Sequence, residues 1–79
     1  MNNRIVVNGY TFDYSEEYSW YSCRGEVCYD DDHDEMPEPR LMEAAYKLEE
    51  MLKKDGYNAE ANHSEKGWVE VTTVSYTHL

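Results

Sequence analysis

The 79-residue sequence has few basic residues and no long apolar segment. Seven Lys and Arg residues stand against 17 Asp and Glu residues, which gives a formal net charge of −10. Nucleic-acid binding takes most of its affinity from Lys and Arg residues that neutralise phosphates, so this charge argues against direct binding of DNA or RNA. It argues equally against an anionic membrane surface.

The apolar segments are too short to cross a bilayer, and the N-terminus lacks a signal-peptide pattern. We therefore expect a cytoplasmic protein, in a bacterium or an infected host cell.

Motifs of catalysis and of phosphate binding are also lacking. The sequence contains no Gly-rich phosphate loop and no arrangement of nucleophile, base and orienting group. His63 falls at the end of a polar strand, which is typical of a surface histidine. We therefore expect a protein that is not an enzyme and that carries no cofactor.

Only two cysteines are present, and both precede a histidine at regular spacing. Cys23, Cys28 and His33 are each five positions apart, and their side chains are zinc ligands. This spacing matches none of the common structural zinc patterns, which favour CxxC pairs. A zinc site on these three residues is one alternative, a disulfide in oxidising buffer is another, and two reduced thiols are the expectation in the cytosol.

Two hairpins are predicted in the first third of the chain. Asn8-Gly9 separates the runs 4–7 and 10–14, and this dipeptide supplies the two positive-φ positions of a type I′ turn. A second strand pair is predicted over 18–23 and 26–29, with its turn at Arg24-Gly25. The following segment, 30–39, is predicted to be a loop, because its carboxylates repel one another and it contains two prolines.

One amphipathic helix is predicted over 40–55. Leu41, Ala45, Leu48 and Leu52 recur at helical spacing, and Ala44 and Met51 widen this apolar stripe. Glutamate and lysine also occur as three i,i+4 pairs, namely Glu43–Lys47, Glu49–Lys53 and Glu50–Lys54.

Two further strands are predicted over 57–62 and 68–73. The order ββ-ββ-α-ββ indicates an α+β domain with an antiparallel sheet and the helix packed on one face. We expect this single domain to span 1–73. Residues 74–79 back-translate to GTC TCT TAT ACA CAT CT, the end of a transposon-based sequencing adapter, and are therefore interpreted as an artefact tail.

The negative charge is concentrated before the helix. Residues 1–39 hold two basic and ten acidic residues, whereas the helix segment 40–55 is balanced at four of each. Eight of the chain's eleven aromatic residues are tyrosine, and several of them lie in the acidic segment. Acidic surfaces with aromatic side chains can imitate DNA and bind a Lys- and Arg-lined groove. The candidate partner-binding residues are Glu16, Glu17, Tyr21, Asp30, Asp31, Asp32, Asp34 and Glu35.

In size, acidity and lack of motifs, the chain resembles the small phage proteins that block bacterial immunity, anti-CRISPR inhibitors among them. This resemblance of general character implies an inhibitor that binds a basic surface of a nucleic-acid-handling protein, and it assigns no residue. A second alternative is a module that sequesters a nucleotide, in which Tyr and Trp stack on bases and Arg24, at a hairpin tip, meets phosphate.

Overall fold

The protein is an antiparallel sheet with one helix across one face. The computed structural model describes residues 2–63 and 66–75. The main sheet has five strands in the order β1-β2-β3-β7-β6, and β4 and β5 form a second, two-stranded sheet. The elements are β1 (Arg4–Val7), β2 (Tyr10–Ser15), β3 (Trp20–Arg24), β4 (Val27–Tyr29), β5 (Glu35–Pro37), α1 (Pro39–Lys54), β6 (Tyr57–His63) and β7 (Trp68–Ser75). The predicted α+β class is confirmed.

The first hairpin forms at Asn8-Gly9. Asn8 and Gly9 both have positive φ, 51° and 85°. Val7 pairs with Tyr10, so that Asn8 and Gly9 alone make the turn. Phe12 alternates with exposed neighbours and is fully buried. The prediction of this hairpin is confirmed.

The predicted second hairpin is wrong. Strand β3 lies in the middle of the main sheet between β2 and β7, and β4 pairs with β5 instead. Gly25 does not lie in a hairpin turn. It lies where the chain leaves β3 and runs toward β4. Its N–H donates to the carbonyl oxygen of Gly67 at 2.9 Å, and a Cβ there would lie 2.8 Å from Leu41 Cδ2. The absence of a side chain here lets the chain pass close to the buried Leu41 of α1.

Glu35–Pro37 is a strand, although the segment was predicted to be loop throughout. Pro37 can pair with Val27 because both strands of a two-stranded sheet are edge strands, where a missing N–H donor is tolerated. Repulsion among the carboxylates does not prevent the hairpin, since these side chains point into solvent at its tip.

Helix α1 buries the apolar stripe that its sequence predicts. Pro39 occupies the first turn, and the buried residues are Leu41, Ala44, Ala45, Leu48 and Leu52. Met51 is 42% exposed, so its assignment to the stripe is wrong. Of the three predicted glutamate–lysine pairs, Glu49–Lys53 is the one that forms an ion pair, at 3.4 Å. The chain leaves the helix through Gly56 at φ 96°.

The core lies between α1 and one face of the main sheet. Phe12, Tyr21, Val69 and Val71 are fully buried beneath the helix. Because side chains alternate along a strand, the neighbours of these residues point to the other face of the sheet, on which Arg24 and Trp68 are exposed. We call this side the open face; its central residues are Trp20, Ser22 and Arg24 on β3 and Trp68, Glu70 and Thr72 on β7.

The two edges of the main sheet differ. At the β6 edge, the outward N–H of Ala61 donates to Glu49 Oε1 at 2.8 Å, so that a helix side chain bonds to the strand. At the β1 edge, Val7 pairs with Tyr10 across the two-residue turn, and Asn3 accepts a hydrogen bond from Tyr14 N–H. Residues along β1 alternate between those whose backbone groups bond to β2 and those whose backbone groups point away from it. The backbone groups of Arg4 and Val6 therefore point away from β2.

Strand β7 extends beyond the predicted domain boundary at residue 73. Val74 pairs with Asn58, and Ser75 pairs with Tyr57. Residues 76–79 of the predicted artefact tail lie outside the described residues. Within the described ranges, the helix is too short and too polar to span a membrane.

Candidate protein-binding surface

The densest acidic group lies at the tip of the β4–β5 hairpin. We call residues 30–35 the acidic tip; its carboxylates are all exposed and belong to Asp30, Asp31, Asp32, Asp34 and Glu35. Carboxylate oxygens of Asp30, Asp32 and Asp34 lie within 4.8 Å of one another. The structure thus brings together five of the eight candidate contact residues.

The side chain of Asp30 determines the conformation of this tip. Its Oδ1 accepts hydrogen bonds from the N–H groups of Asp32, at 2.9 Å, and of Asp34, at 3.0 Å. The backbone adds a bond from His33 N–H to the Asp30 carbonyl at 3.0 Å, with His33 at φ 64°. Asp is favoured at such positions because its short side chain bonds to the backbone two residues later. The tip is therefore an ordered turn that holds its carboxylates outward.

Two further contacts attach the hairpin to the body of the protein. Glu38, just before α1, accepts hydrogen bonds from the Tyr10 hydroxyl and, at 3.4 Å, from Glu26 N–H. Glu35 Oε2 accepts a bond from Lys66 N–H at 3.2 Å. The acidic tip is thus held in place relative to the sheet.

Glu16 and Glu17 are exposed but belong to a different part of the surface. They follow the end of β2, next to the Ser15–Trp20 pair, whereas the acidic hairpin departs after Arg24. Trp20 and Arg24, the two ends of β3, are four residue steps apart, which corresponds to ~13 Å at about 3.3 Å per residue. The acidic candidates therefore form two groups at opposite ends of the sheet.

Tyr21 does not contribute to the surface, and its assignment as a contact residue is wrong. Its side chain is fully buried, packs at 5.0 Å between ring centroids against Tyr14, and donates its hydroxyl to the Asn2 carbonyl. Alternation along β3 explains this, since Tyr21 faces α1 while Trp20 faces the open side. Burial raises the pKa of the Tyr21 phenol, and the neighbouring phenols of Tyr14 and Tyr57 raise it further.

Cys23, Cys28 and His33 are not brought together. Both cysteines are free thiols, and they lie on strands of different sheets. Within residues 2–63 and 66–75, the three Asp residues of the tip are the group whose ligand atoms come close enough to share an ion. Burial, and then the charge of Asp13, raise the pKa of the Cys23 thiol, which opposes the thiolate form that zinc binds.

The acidic tip offers oxygen ligands to a hard divalent cation. Calcium and magnesium take carboxylate oxygens, but calcium sites need six or more ligands, and these three side chains are exposed. Moreover, Asp30 Oδ1 already accepts two backbone hydrogen bonds. The arrangement is that of an Asx turn, which forms without an ion.

The open face was missed by the sequence analysis. Both tryptophans of the chain lie on it, and Tyr18 stacks on Trp20 with ring centroids 4.7 Å apart. Arg24 lies over the Trp68 ring, 5.7 Å from its centroid, as the last residue of β3 rather than at a hairpin tip. Side chains that alternate with the buried Phe12 and Tyr21 along β2 and β3 point to this face, and this alternation was the signal that could have revealed it.

Comparison with protein-family models, with curated proteins and with solved structures gave no match.

Proposed function

We propose that this protein is a non-enzymatic, cytoplasmic inhibitor whose acidic tip binds a basic surface of a nucleic-acid-handling protein. The observation that supports this proposal is the ordered cluster of exposed carboxylates at the end of the β4–β5 hairpin. A phosphate-binding groove is lined by Lys and Arg, and a fixed group of carboxylates offers it the charge pattern of a nucleic-acid backbone.

Order in the tip matters for affinity as well as for geometry. A flexible acidic loop would lose conformational entropy on binding, whereas this tip is held by the two hydrogen bonds to Asp30 Oδ1 and by the attachments at Glu35 and Glu38. The net charge of −10 adds long-range attraction, which speeds encounter with a basic partner and weakens with salt.

The test measures inhibition of DNA cleavage by a panel of purified bacterial nucleases, CRISPR effectors included. For each nuclease inhibited, we compare the unaltered protein with Asp31→Asn/Asp32→Asn. These two side chains are exposed, and neither is the one that orders the turn. We expect the affinity for the nuclease to fall about threefold to tenfold at 0.1 M salt, and its salt dependence to become shallower.

The matched control is Glu43→Gln/Glu50→Gln on α1, which removes the same charge from a segment without net charge. Inhibition by this variant should equal that of the unaltered protein. The proposal fails if the two double variants weaken binding equally, or if no nuclease in the panel is inhibited.

A nucleotide-sequestering module is the second candidate, and the Tyr18–Trp20 stack favours it because bases stack on aromatic rings. Two observations count against it. Arg24 is engaged with Trp68, and the face carries the carboxylates of Asp13, Glu60 and Glu70. A thermal-shift screen with cyclic nucleotides tests it; stabilisation by one of them would replace the inhibitor proposal.

A further inference from the structure

Both tryptophans lie on the central strands of the open face. Trp68, at the start of β7, is 40% exposed. Trp20, at the start of β3, is half-buried because Tyr18 stacks on it, with an angle of 19° between the rings. Tyr18 itself is 58% exposed. Exposed aromatic side chains grouped on one face are typical of recognition surfaces.

The Trp68 ring already contacts a cationic side chain of the same protein. The guanidinium of Arg24 lies 5.7 Å from the centroid of Trp68, within the range of a cation–π interaction. The Tyr18–Trp20 stack has no such cation within the part of the chain that the structure describes. One aromatic position is therefore occupied by the protein's own arginine, and the other presents its rings to solvent.

Carboxylates lie beside the unoccupied stack. Trp20 pairs with Thr72, and Thr72 pairs with Glu60, so these three residues form one row across β3, β7 and β6. The next row places Glu70 opposite Ser22. With strands about 4.8 Å apart and alternate residues ~6.7 Å apart, the Cα atoms of both glutamates lie roughly 8–10 Å from that of Trp20. A side chain stacked on Trp20 would thus have a carboxylate within reach.

We propose that the open face is a second interaction surface, which binds an arginine side chain of a basic protein partner at the Tyr18–Trp20 stack. A guanidinium is planar, stacks on aromatic rings and forms hydrogen bonds with carboxylates, so it satisfies both features of this position. A lysine ammonium is more strongly hydrated and gains less from the rings. The inference shares a basic partner with the proposed function, but different residues carry it.

The charge of the face argues for this partner over the other classes. A single-stranded nucleic acid would also stack on Trp20, but it needs basic residues along its backbone, and Arg4 is paired with Asp13 at 2.8 Å. A second copy of the chain would bring a net charge of −10 toward a like charge. An arginine-bearing segment meets opposite charge instead.

The test uses tryptophan emission, since both tryptophans lie on the open face. The protein is titrated with octa-arginine, octa-lysine and an eight-nucleotide oligo-dT at 0.15 M salt. We expect octa-arginine to change the emission and to bind about threefold to tenfold more tightly than octa-lysine. Equal affinities for the two peptides, or tighter binding of oligo-dT, would overturn the inference.

Two variants assign the arginine preference to the stack. Tyr18→Ser should abolish the preference for octa-arginine, and Glu60→Gln should reduce it. The matched control is Tyr46→Ser, because Tyr46 is similarly exposed, at 53%, but lies on α1. If the Tyr18 and Tyr46 variants behave alike, the stack is not the binding position.

The same titration separates this inference from the proposed function. Asp31→Asn/Asp32→Asn should lower the affinity for both peptides by the same factor, since it changes charge far from the rings. A retained arginine preference in that variant, together with unchanged nuclease inhibition, would refute the proposed function alone. Loss of the arginine preference in that variant would refute the open face as a separate surface.

Discussion

The hydroxyl of Tyr10 donates a hydrogen bond to the carboxylate of Glu38, joining β2 to the residue just before α1. The other oxygen of that carboxylate accepts from Glu26 N–H at the start of the acidic hairpin. One side chain therefore links the first hairpin, the helix start and the hairpin that bears the acidic tip. Both oxygens of Glu38 bond to other elements, and its side chain forms no cap hydrogen bond with its own helix.

Removal of the hydroxyl from Tyr10 should destabilise the protein. For Tyr10→Phe we expect the free energy of unfolding to fall by about 1–2 kcal/mol, since a hydrogen bond to a charged group is lost and the ring remains. Urea denaturation followed by circular dichroism measures the change. Tyr46→Phe, at an exposed position on α1, should leave the midpoint unchanged. A Tyr10→Phe midpoint equal to that of the control would exclude a structural role for this bond.

Two glycines with positive φ allow steric and conformational costs to be separated. At Gly9, φ is 85° and a Cβ would meet nothing within 4 Å. At Gly67, φ is 79° and a Cβ would lie 2.7 Å from the Gly25 carbonyl oxygen. We expect Gly9→Ala to lower the free energy of unfolding by about 1 kcal/mol. Gly67→Ala should lower it by about 1–3 kcal/mol more, because the backbone at Gly25 must shift to make room for the added methyl group.

The measurement is chemical denaturation of both alanine variants beside the unaltered protein. Equal losses would mean that the contact between the two backbone segments is not tight. A larger loss at position 9 would contradict the structure of both turns.

The buried phenol of Tyr21 should make stability fall at alkaline pH. Burial raises its pKa above the ordinary value of 10.0, so the folded state holds this proton more tightly than the unfolded state. Its contribution is therefore complete below pH 10 and is lost as pH rises through the folded value. The melting temperature should fall above pH 10, and less steeply for Tyr21→Phe. Tyr46→Phe should keep the slope of the unaltered protein, and equal slopes in all three would refute the assignment.

Two alanine substitutions in the acidic tip remove the same charge but should differ in their effect on order. Asp30→Ala deletes the acceptor of the Asp32 and Asp34 N–H groups, whereas Asp31→Ala deletes a side chain that forms no hydrogen bond in the described structure. We expect hydrogen-exchange protection of those two amides to fall about fivefold in Asp30→Ala and to stay unchanged in Asp31→Ala. Equal protection in the two variants would show that Asp30 does not order the tip.

Local signals in the sequence predicted what depends on neighbouring residues. Asn8-Gly9 defines its own turn, and the stripe from Leu41 to Leu52 defines the buried side of α1 without reference to other elements. These predictions are confirmed because turn geometry and helical periodicity act over only a few residues.

Strand pairing in the middle of the chain was not predictable in this way. Arg24-Gly25 looks like a hairpin turn, yet β3 pairs with β7, more than 40 positions later in the chain. Short strands such as β4 and β5 carry too few residues to specify a partner. Gly25 lies close to Leu41 of α1, a tertiary contact that no local pattern contains. The place of Tyr21 in the core depends on the same pairing, which is why it was misassigned.

The Glu49–Ala61 hydrogen bond makes the two margins of the main sheet unequal. A fibril that grows by strand addition needs unpaired backbone groups at both edges of the sheet in each copy. At the β6 edge, an incoming strand must displace the Glu49 carboxylate from Ala61 N–H. Pairing of two copies through the β1 edges of their main sheets would leave the two β6 edges of those sheets outward, each with its Glu49–Ala61 bond. We therefore expect strand addition through the main sheet to be hindered beyond such a pair.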